Sequence, residues 1–282
     1  MIELLSSPLM QRALIVALLV GLAAPTVGTF LVQRRLTLLG DGIGHIALTG
    51  VALGWLAGSV AGVANKDAWA VPGAIVAAVI GALLIEWMRD RGHTSGDVAL
   101  ALLFYGGIAG GVLLIGIAGG TTSNLNSYLF GSISTVTRTD AWLTVILAVV
   151  VLAVGLSLRP ALFTLCHDEE FARASGLPTK VLSVLISVTA ALTVAVAMRV
   201  VGALMVSALM VVPVAISQIV ARSFRDTMIS AMLIGAVVSV TGLVITFFHP
   251  WSPGATIVLL AVGLYALVAI THPVLARILY RK

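Results

Sequence analysis

Charged side chains are scarce in this sequence, since only 10% of its 282 residues are Asp, Glu, Lys or Arg, whereas an average soluble domain has about 25%. Hydrophobic residues make up 60% of the chain, and the mean hydropathy is +1.15. Apolar runs long enough to cross a bilayer recur along the whole length. The composition therefore excludes a soluble protein and predicts an all-α, polytopic membrane bundle.

Cysteine is nearly absent as well, because Cys166 is the only one. This excludes an intramolecular disulfide and a cysteine-rich metal cluster. The sequence also lacks the GxxxxGK[ST] phosphate loop and the HExxH motif, so we identify no catalytic residues and expect no enzyme activity in this chain. The formal charge is +5. Binding of nucleic acid would need a basic patch on a soluble domain, and the sequence predicts no such domain, so we expect no nucleic-acid partner.

The apolar runs predict about nine membrane helices, with eight or ten as alternatives, in a single membrane domain that covers 1–282. The second run is long enough to be tilted or broken, and an outer loop near 119–140 has room for a half-helix. With nine helices most Lys and Arg fall on one side, which is then the cytoplasm, and the N-terminus lies outside. The predicted spans are 11–32, 36–62, 68–86, 98–118, 141–158, 181–198, 200–221, 227–248 and 255–276.

Two ionisable residues interrupt the second predicted helix, in the stretch GDGIGHIALTG. Asp41 and His45 are four residues apart and share one helix face, which Thr49 extends. A carboxylate in the bilayer interior is a candidate functional residue, and Asp with His suits a divalent transition metal. Three interpretations stay open: metal contact, a proton relay, or a structural role in which Asp41 caps the helix or pairs with nearby arginines.

Two further polar residues are candidates for the same path. Asp97 opens the fourth predicted helix, where a role as N-terminal cap competes with a place on the path. Ser207 lies within VVGALMVSALMVVP, residues 200–213, between methionines that usually fill cores.

The segment HDEEFARASGLP, 167–178, has complete helix punctuation. Asp168 is a good N-cap, Glu169 and Glu170 suit the N-terminal dipole, and Gly176 fits the C′ position. The pattern predicts a two-turn cytoplasmic helix near 168–176. Because so short a helix is marginal in water, we expect it to dock, either on its own membrane domain or on a cytosolic partner.

The sequence resembles the integral-membrane permeases of the manganese, zinc and iron class of ABC importers. The segment LTLLGDGIGHIALTGVALG, 36–54, is similar to the family signature LMGDxxSHxxLPGVALG, although Gly44 replaces its Ser and Thr49 its Pro. Four other segments carry the likeness: LNSYLFGSI at 125–133, DEEFARASGLP at 168–178, VVGALMVSALMVVP at 200–213 and SPGATIVL at 252–259.

The resemblance implies a homodimeric permease in a bacterial-type plasma membrane. Its implied partners are two copies of a cytosolic ABC ATPase, which hydrolyses the ATP, an extracytoplasmic metal-binding protein, and membrane lipid. Asp41 and His45 match the acid and histidine of the metal path, with Thr49, Asp97 and Ser207 as further candidates. The residues that match the ATPase-coupling helix are Asp168, Glu169, Glu170, Ala172, Arg173 and Gly176.

The last expectation concerns which ion is transported. No permanently bound cofactor is expected. A site that contains histidine favours Zn²⁺, so zinc is the first expectation and Mn²⁺ or iron the alternative within the family. A proton-coupled secondary metal transporter is the rival class, which would need neither the docking helix nor an ATPase.

Overall fold

In the computed structural model, described over residues 7–62, 66–90, 96–119, 122–132 and 137–279, the chain is a bundle of α-helices. No strand occurs within these ranges, and a 3₁₀ turn at Lys66–Trp69 precedes the third helix. The helices are α1 Pro8–Gln33, α2 Leu39–Val60, α3 Ala70–Asp90, α4 Gly96–Ile117, α5 Thr122–Phe130, α6 Arg138–Ser157, α7 Arg159–His167, α8 Glu169–Ala174, α9 Thr179–Ala197, α10 Ala203–Val220, α11 Phe224–Phe248 and α12 Pro253–Leu279.

Nine of these helices account for the predicted spans. Eight are long and apolar enough to cross a membrane, and α10 adds an apolar helix of 18 residues. The prediction of an all-α membrane bundle with about nine helices is therefore confirmed. The second span starts at Leu39 rather than at 36 because the chain turns first, with Arg35 at φ 58° and the Leu36 amide donating to the Leu31 carbonyl.

Contacts between connecting segments define the two sides of the bundle. On one side, Arg34 after α1 contacts Glu169 of α8 and Ser183 at the start of α9. On the other side, Asp67 before α3 contacts Arg199, which follows α9. This grouping agrees with the alternation that the Lys and Arg distribution predicts, with α8 on the cytoplasmic side.

The interior consists of α1, α2 and α9, which are the most buried of the spanning helices. Close approach of helix backbones holds them, since lipid provides no hydrophobic driving force between helices. A Cβ on Gly28 would lie 1.9 Å from the Met210 carbonyl oxygen of α10, and one on Gly50 would lie 2.4 Å from the Gly73 oxygen of α3. Glycine at these positions allows α2 to pack against α3, and α1 against α10.

The outer segment near 119–140 contains α5, which packs onto the connection between α9 and α10. The Ser132 amide donates to the Arg199 carbonyl oxygen at 3.1 Å. Gly202 has φ 93°, and a Cβ there would lie 2.3 Å from the Leu129 oxygen. The connection is buried, and α10 begins beside α2 at the level of Gly44, where Ala203 packs. With this start α10 has 18 residues, one fewer than α9.

Candidate functional site

The N-terminal turn of α2 presents the acid of the candidate site. Asp41 lies in that turn, where a carboxylate interacts favourably with the helix dipole. Its Oδ1 accepts a hydrogen bond from the Ser207 hydroxyl of α10. This contact is possible because residue 40 is a glycine. A Cβ added to Gly40 would lie only 3.2 Å from the Cβ of Ser207, so glycine lets α2 approach Ser207 closely. The observed partner of Asp41 is therefore a hydroxyl from another span, and not the arginines of the structural alternative.

The Asp41 carboxylate also borders a cavity. The cavity has a volume of about 320 Å³ and lies between α2 and α4, where Phe104 and Tyr105 form part of its wall. Tyr105 is 69% exposed on the surface of the single chain. An ion in this cavity would reach the carboxylate from the α4 side.

His45 lies one turn further along α2 and is 5% exposed. Its ring packs edge-on against Phe104, with the ring centroids 4.5 Å apart. Its Nδ1 is buried and has no hydrogen-bond partner among the described residues. Because an unsatisfied buried polar atom costs about 1–3 kcal/mol, this nitrogen is available for a ligand.

The other candidates for the path are placed differently. The Thr49 hydroxyl donates to the Gly107 carbonyl oxygen at 2.8 Å and so joins α2 to α4. Thr49 also lines an apolar cavity of about 550 Å³ between α2, α3 and α4, which is separate from the cavity that Asp41 borders. Ser207 reaches the site through Asp41. The side chain of Asp97 lies outside the described part of the chain.

The described residues of a single chain do not complete a metal site. Among the described residues, no group of three or more His, Cys, Asp or Glu side chains could hold a metal ion. Asp41 and His45 share one helix face and supply one oxygen donor group and one nitrogen, with the Ser207 hydroxyl as an additional oxygen. A closed coordination shell needs donors from elsewhere.

The cytoplasmic segment contains the short helix α8 with the capping that its sequence indicates. The Asp168 carboxylate accepts from the Phe171 amide at 2.8 Å. Gly176 takes φ 83°, and the Leu177 amide donates to the Ala172 carbonyl oxygen at 3.0 Å, which is a Schellman ending.

One face of α8 docks on the membrane domain and the other is free of it. Ala172 is fully buried, and Glu169 pairs with Arg34 at 3.4 Å and with Arg173 at 3.3 Å. On the outward face, Glu170 is exposed and Phe171 is 61% exposed. The helix therefore belongs to the fold and also leaves an aromatic side chain exposed, on the side that the sequence predicts to be cytoplasmic.

A buried charge network on the outer side was not predicted from the sequence. Arg199 is 5% exposed and pairs with Asp67 at 3.0 Å and with Asp140 at 3.6 Å. Trp55 and Tyr128 both donate to Asp67, and burial raises the pKa of the Tyr128 hydroxyl, which stays a donor. The signal in the sequence was a lone arginine inside the apolar run AVAMRVVGALM, since such charges rarely lack a buried partner.

A second feature that the sequence did not predict is an acid, Glu86, near the predicted cytoplasmic end of α3. The Glu86 carboxylate accepts from the hydroxyls of Ser183 at 2.9 Å and Ser187 at 2.6 Å, and it pairs with Arg89 at 3.3 Å. Glu86 joins α3 to α9 beside the base of α8. Glu86 is the last residue of the predicted span 68–86. The sequence therefore did not distinguish it from the charged residues that commonly end a membrane helix.

Comparison with known proteins gives a consistent family assignment. The model of the family described as "ABC 3 transport family" matches residues 6–272. The manganese import system permease protein ScaB of Streptococcus parasanguinis is 33% identical over 251 residues, covering 89% of this chain and 86% of that protein. The manganese transport system membrane protein MntC of Halalkalibacterium halodurans is 30% identical over 272 residues, covering 96% and 90%.

A solved structure agrees with the fold. The structure of PsaBC from Streptococcus pneumoniae in complex with Fab has a chain that is 30% identical, with a TM-score of 0.82, over 94% of this chain and 92% of that one. The structural similarity extends over nearly the whole bundle, and the residues that the family model matches include Asp41, His45 and α8.

Proposed function

Because the chain belongs to the ABC 3 transport family and is thus a multi-pass metal ABC importer permease of the bacterial plasma membrane, we propose that Asp41 and His45 bind the ion on its translocation path and that Mn²⁺ is the main cargo. The observation that carries this proposal is the pairing of an unpartnered, buried imidazole nitrogen with a carboxylate that borders a cavity, on one face of α2.

The donor set supports manganese. The Asp41 carboxylate and the Ser207 hydroxyl provide oxygen, and His45 provides one nitrogen, while the single cysteine lies far along the chain in α7. Oxygen-rich sites without thiolate suit Mn²⁺. Two relatives are named as manganese transport proteins. The expectation of zinc from the sequence remains the alternative, because imidazole also suits Zn²⁺, which binds most such sites more tightly.

A second copy of the chain would complete the coordination shell. One Asp41 and one His45 from each of two protomers that meet at a two-fold axis supply two carboxylates and two imidazoles. These ligands replace part of the hydration shell of the ion. They are few enough to release it, as a transport site requires.

ATP hydrolysis would occur in a separate ABC ATPase that docks on α8. The outward face with Glu170 and Phe171 is available for this contact, while Ala172 and Glu169 hold the helix on the membrane domain. Two ATPase copies that close on ATP would then move α8 and, through it, the spans to which it is joined. Metal would arrive from an extracytoplasmic binding protein on the opposite side.

Metal uptake by cells that express this chain with its ATPase tests the proposal. We expect accumulation of Mn²⁺ to fall at least about tenfold for Asp41→Asn and for His45→Gln, because each removes a ligand that no other described residue replaces. Ser207→Ala should give a smaller loss. Thr271→Val, which changes an exposed hydroxyl on α12, is the matched control.

Three outcomes would contradict parts of the proposal. Normal uptake by both site variants would exclude Asp41 and His45 as ligands. Accumulation of Zn²⁺ but not Mn²⁺ by the wild type would replace manganese with zinc. Uptake that continues without the ATPase and depends on a proton gradient would favour the secondary transporter.

A further inference from the structure

A continuous series of polar contacts joins α8 to two membrane helices on the predicted cytoplasmic side. Glu169 of α8 pairs at 3.4 Å with Arg34, which follows α1. The Arg34 guanidinium donates to the Ser183 hydroxyl of α9 at 2.6 Å, and that hydroxyl donates to the Glu86 carboxylate of α3 at 2.9 Å. We call these four residues the inner network.

Ser183 lies at the centre of the inner network. Its hydroxyl accepts from a cation and donates to an anion, and such charge-assisted hydrogen bonds are stronger than bonds between neutral groups. The flanking side chains are largely withdrawn from water, with Arg34 7% exposed and Glu86 12% exposed, so solvent screens their charges only weakly. The contacts between α8 and α3 are therefore strong and directional.

Helix α3 in turn packs closely against the helix that contains the proposed metal ligands. A Cβ added to Gly81 of α3 would lie 2.5 Å from Cδ1 of Ile46, the residue after His45 in α2. Helices packed this closely shift together or rearrange, because a dense interior is not easily compressed. A displacement of Glu86 along with α3 would therefore reach α2 beside His45.

We propose that Ser183 is a positioning residue for transport, which transmits the movement of α8 through Glu86 and α3 to the metal ligands on α2. This inference rests on the proposed docking of the ATPase on α8 and names the route by which that docking acts. Ser183 contacts neither metal nor nucleotide in this role. Its hydroxyl keeps α3 attached to α8, so that both move when the ATPase closes.

A matched pair of substitutions isolates the hydroxyl of Ser183. Ser183→Thr keeps it, whereas Ser183→Val has nearly the same shape as Ser183→Thr and lacks it. Both have room for the added methyl group, because Ser183 lines a cavity of about 480 Å³. Ser183→Ala also lacks the hydroxyl and adds no volume, so it tests the same contact if Ser183→Val disturbs the packing.

The measurement is the number of metal ions imported per ATP hydrolysed. Purified permease is reconstituted in lipid vesicles with its ATPase and the metal-binding protein, and import of Mn²⁺ and of Zn²⁺ is followed. We expect Ser183→Val and Ser183→Ala to lower the ratio about fivefold, which corresponds to about 1 kcal/mol of coupling. Ser183→Thr should keep the wild-type ratio, and all three variants should retain the ATPase on co-purification.

The control is Ser187→Ala, on the same helix. Ser187 donates to the other oxygen of the Glu86 carboxylate at 2.6 Å, but it does not lie between Arg34 and Glu86. Ser187→Ala should therefore lower the melting temperature about as much as Ser183→Ala and leave the ratio of metal to ATP unchanged. An equal fall of the ratio in both alanine variants would assign Ser183 to the support of Glu86 alone and overturn the proposal. Equal ratios for Ser183→Thr and Ser183→Val would overturn it as well.

Hydrogen exchange separates this inference from the proposed function, because it requires no metal. Exchange of the backbone amides in the inner turns of α3 is measured with and without ATP and vanadate. We expect ATP to change this exchange in wild type and in Ser183→Thr, and not in Ser183→Val. A change of equal size in all three would overturn the inference.

The outcomes for the wild type distinguish the two proposals. A wild type that shows the change in α3 but imports neither Mn²⁺ nor Zn²⁺ would contradict the proposed metal path and support the route through Ser183. A wild type that imports metal with ATP, and whose Ser183→Val variant does so at the same ratio, would contradict the route and leave the proposed function intact. Failure of the wild type to bind the ATPase would contradict both.

Discussion

Asp41 is stable in an apolar bundle because three features reduce the cost of its charge. It lies at the positive end of α2, it accepts a hydrogen bond from Ser207, and it borders a cavity. His45 has none of these compensations, since its Nδ1 is buried without a described partner. A fold that needed only rigidity would place an apolar side chain there, and this supports the proposal that the imidazole binds metal.

Arg199 is the residue whose loss should destabilise the protein most. Arg199→Gln would leave Asp67 and Asp140 without their shared cation. Breaking a buried ion pair costs about 3–5 kcal/mol, and we expect about 3 kcal/mol because Asp67 remains 43% exposed to water. Thermal unfolding in detergent measures the effect, with the exposed Arg138→Gln as the control. Equal melting temperatures for the two variants would show that the network adds no stability.

Cys166 should be unreactive in the folded protein. Burial raises the pKa of its thiol to about 12, against the opposing effect of Arg34, and its Sγ lies 3.8 Å from the Phe30 carbonyl oxygen. The thiolate is the reactive form, so below pH 9 the thiol stays protonated. Its labelling by maleimide should be at least about a hundredfold slower than that of a cysteine introduced at the exposed Ala174.

The pH dependence provides the check on this prediction. Labelling of Cys166 should accelerate as the pH rises towards 12. It should become fast at pH 8 once a denaturing detergent unfolds the chain. Rapid labelling of the folded protein at pH 8 would mean that the thiol is neither buried nor protonated.

Single residues show how far the sequence predicts the site. Asp41 and His45 were identifiable because they share a helix face within an apolar run, which is a local pattern. The contact of Asp41 with Ser207 joins residues 166 positions apart, and the Arg199 contact with Asp67 joins residues 132 apart. Such pairs depend on which helices become neighbours, and no spacing along the chain encodes that.

Among the elements, α8 is the one whose form followed most directly from its sequence. Capping by Asp168 and termination at Gly176 depend on contacts within a few residues. Its two faces were not separable beforehand. Ala172 is buried in the membrane domain, so α8 docks inward, whereas Phe171 is exposed and the docking of this face on a partner stays a prediction.

Substitutions on the outward face of α8 should release the ATPase without changing the fold. Phe171→Ala removes an exposed aromatic side chain, and we expect the affinity for the ATPase to fall about tenfold, as for an interface anchor. Glu170→Ala should have a smaller effect. Co-purification measures the ATPase bound to each variant, and the melting temperature of the permease shows whether the fold is intact.

The control for this experiment is Ile229→Ala, which removes an exposed apolar side chain from α11. ATPase retention by Phe171→Ala equal to that of the control would exclude the outward face of α8 as the docking surface. Glu169→Ala differs in kind, since it also breaks the contact with Arg34 that holds α8 on the bundle.

Helix α10 shows why element boundaries are harder to predict than their number. The apolar run predicted a span from 200, whereas the helix begins at Ala203 after Gly202 takes φ 93°. The preceding residues are as hydrophobic as the helix, so composition cannot separate them. They leave the helix because α5 packs on them, a tertiary contact.

For the whole molecule, the side on which the loops after α10 lie depends on whether α10 crosses the membrane. Eight helices are recognised as full spans, and α10, with 18 residues, is the shortest of the nine. If α10 crosses, the segment after it joins α8 in the cytoplasm. If α10 does not cross, that segment lies outside, and Arg222 and Arg225 violate the positive-inside rule.

Cysteine labelling in intact cells decides between these topologies. The experiment uses a Cys166→Ser background and cysteines introduced at the exposed positions Thr139, Ala174 and Arg222. We expect a membrane-impermeant maleimide to label Thr139→Cys, which lies outside. It should not label Ala174→Cys, which lies inside. Arg222→Cys should behave as Ala174→Cys and become reactive only after the cells are permeabilised. Labelling of Arg222→Cys from outside at the rate of Thr139→Cys would show that α10 does not cross. The orientation of α11 and α12 in the membrane would then be reversed, because each helix that crosses exchanges the side of every later loop.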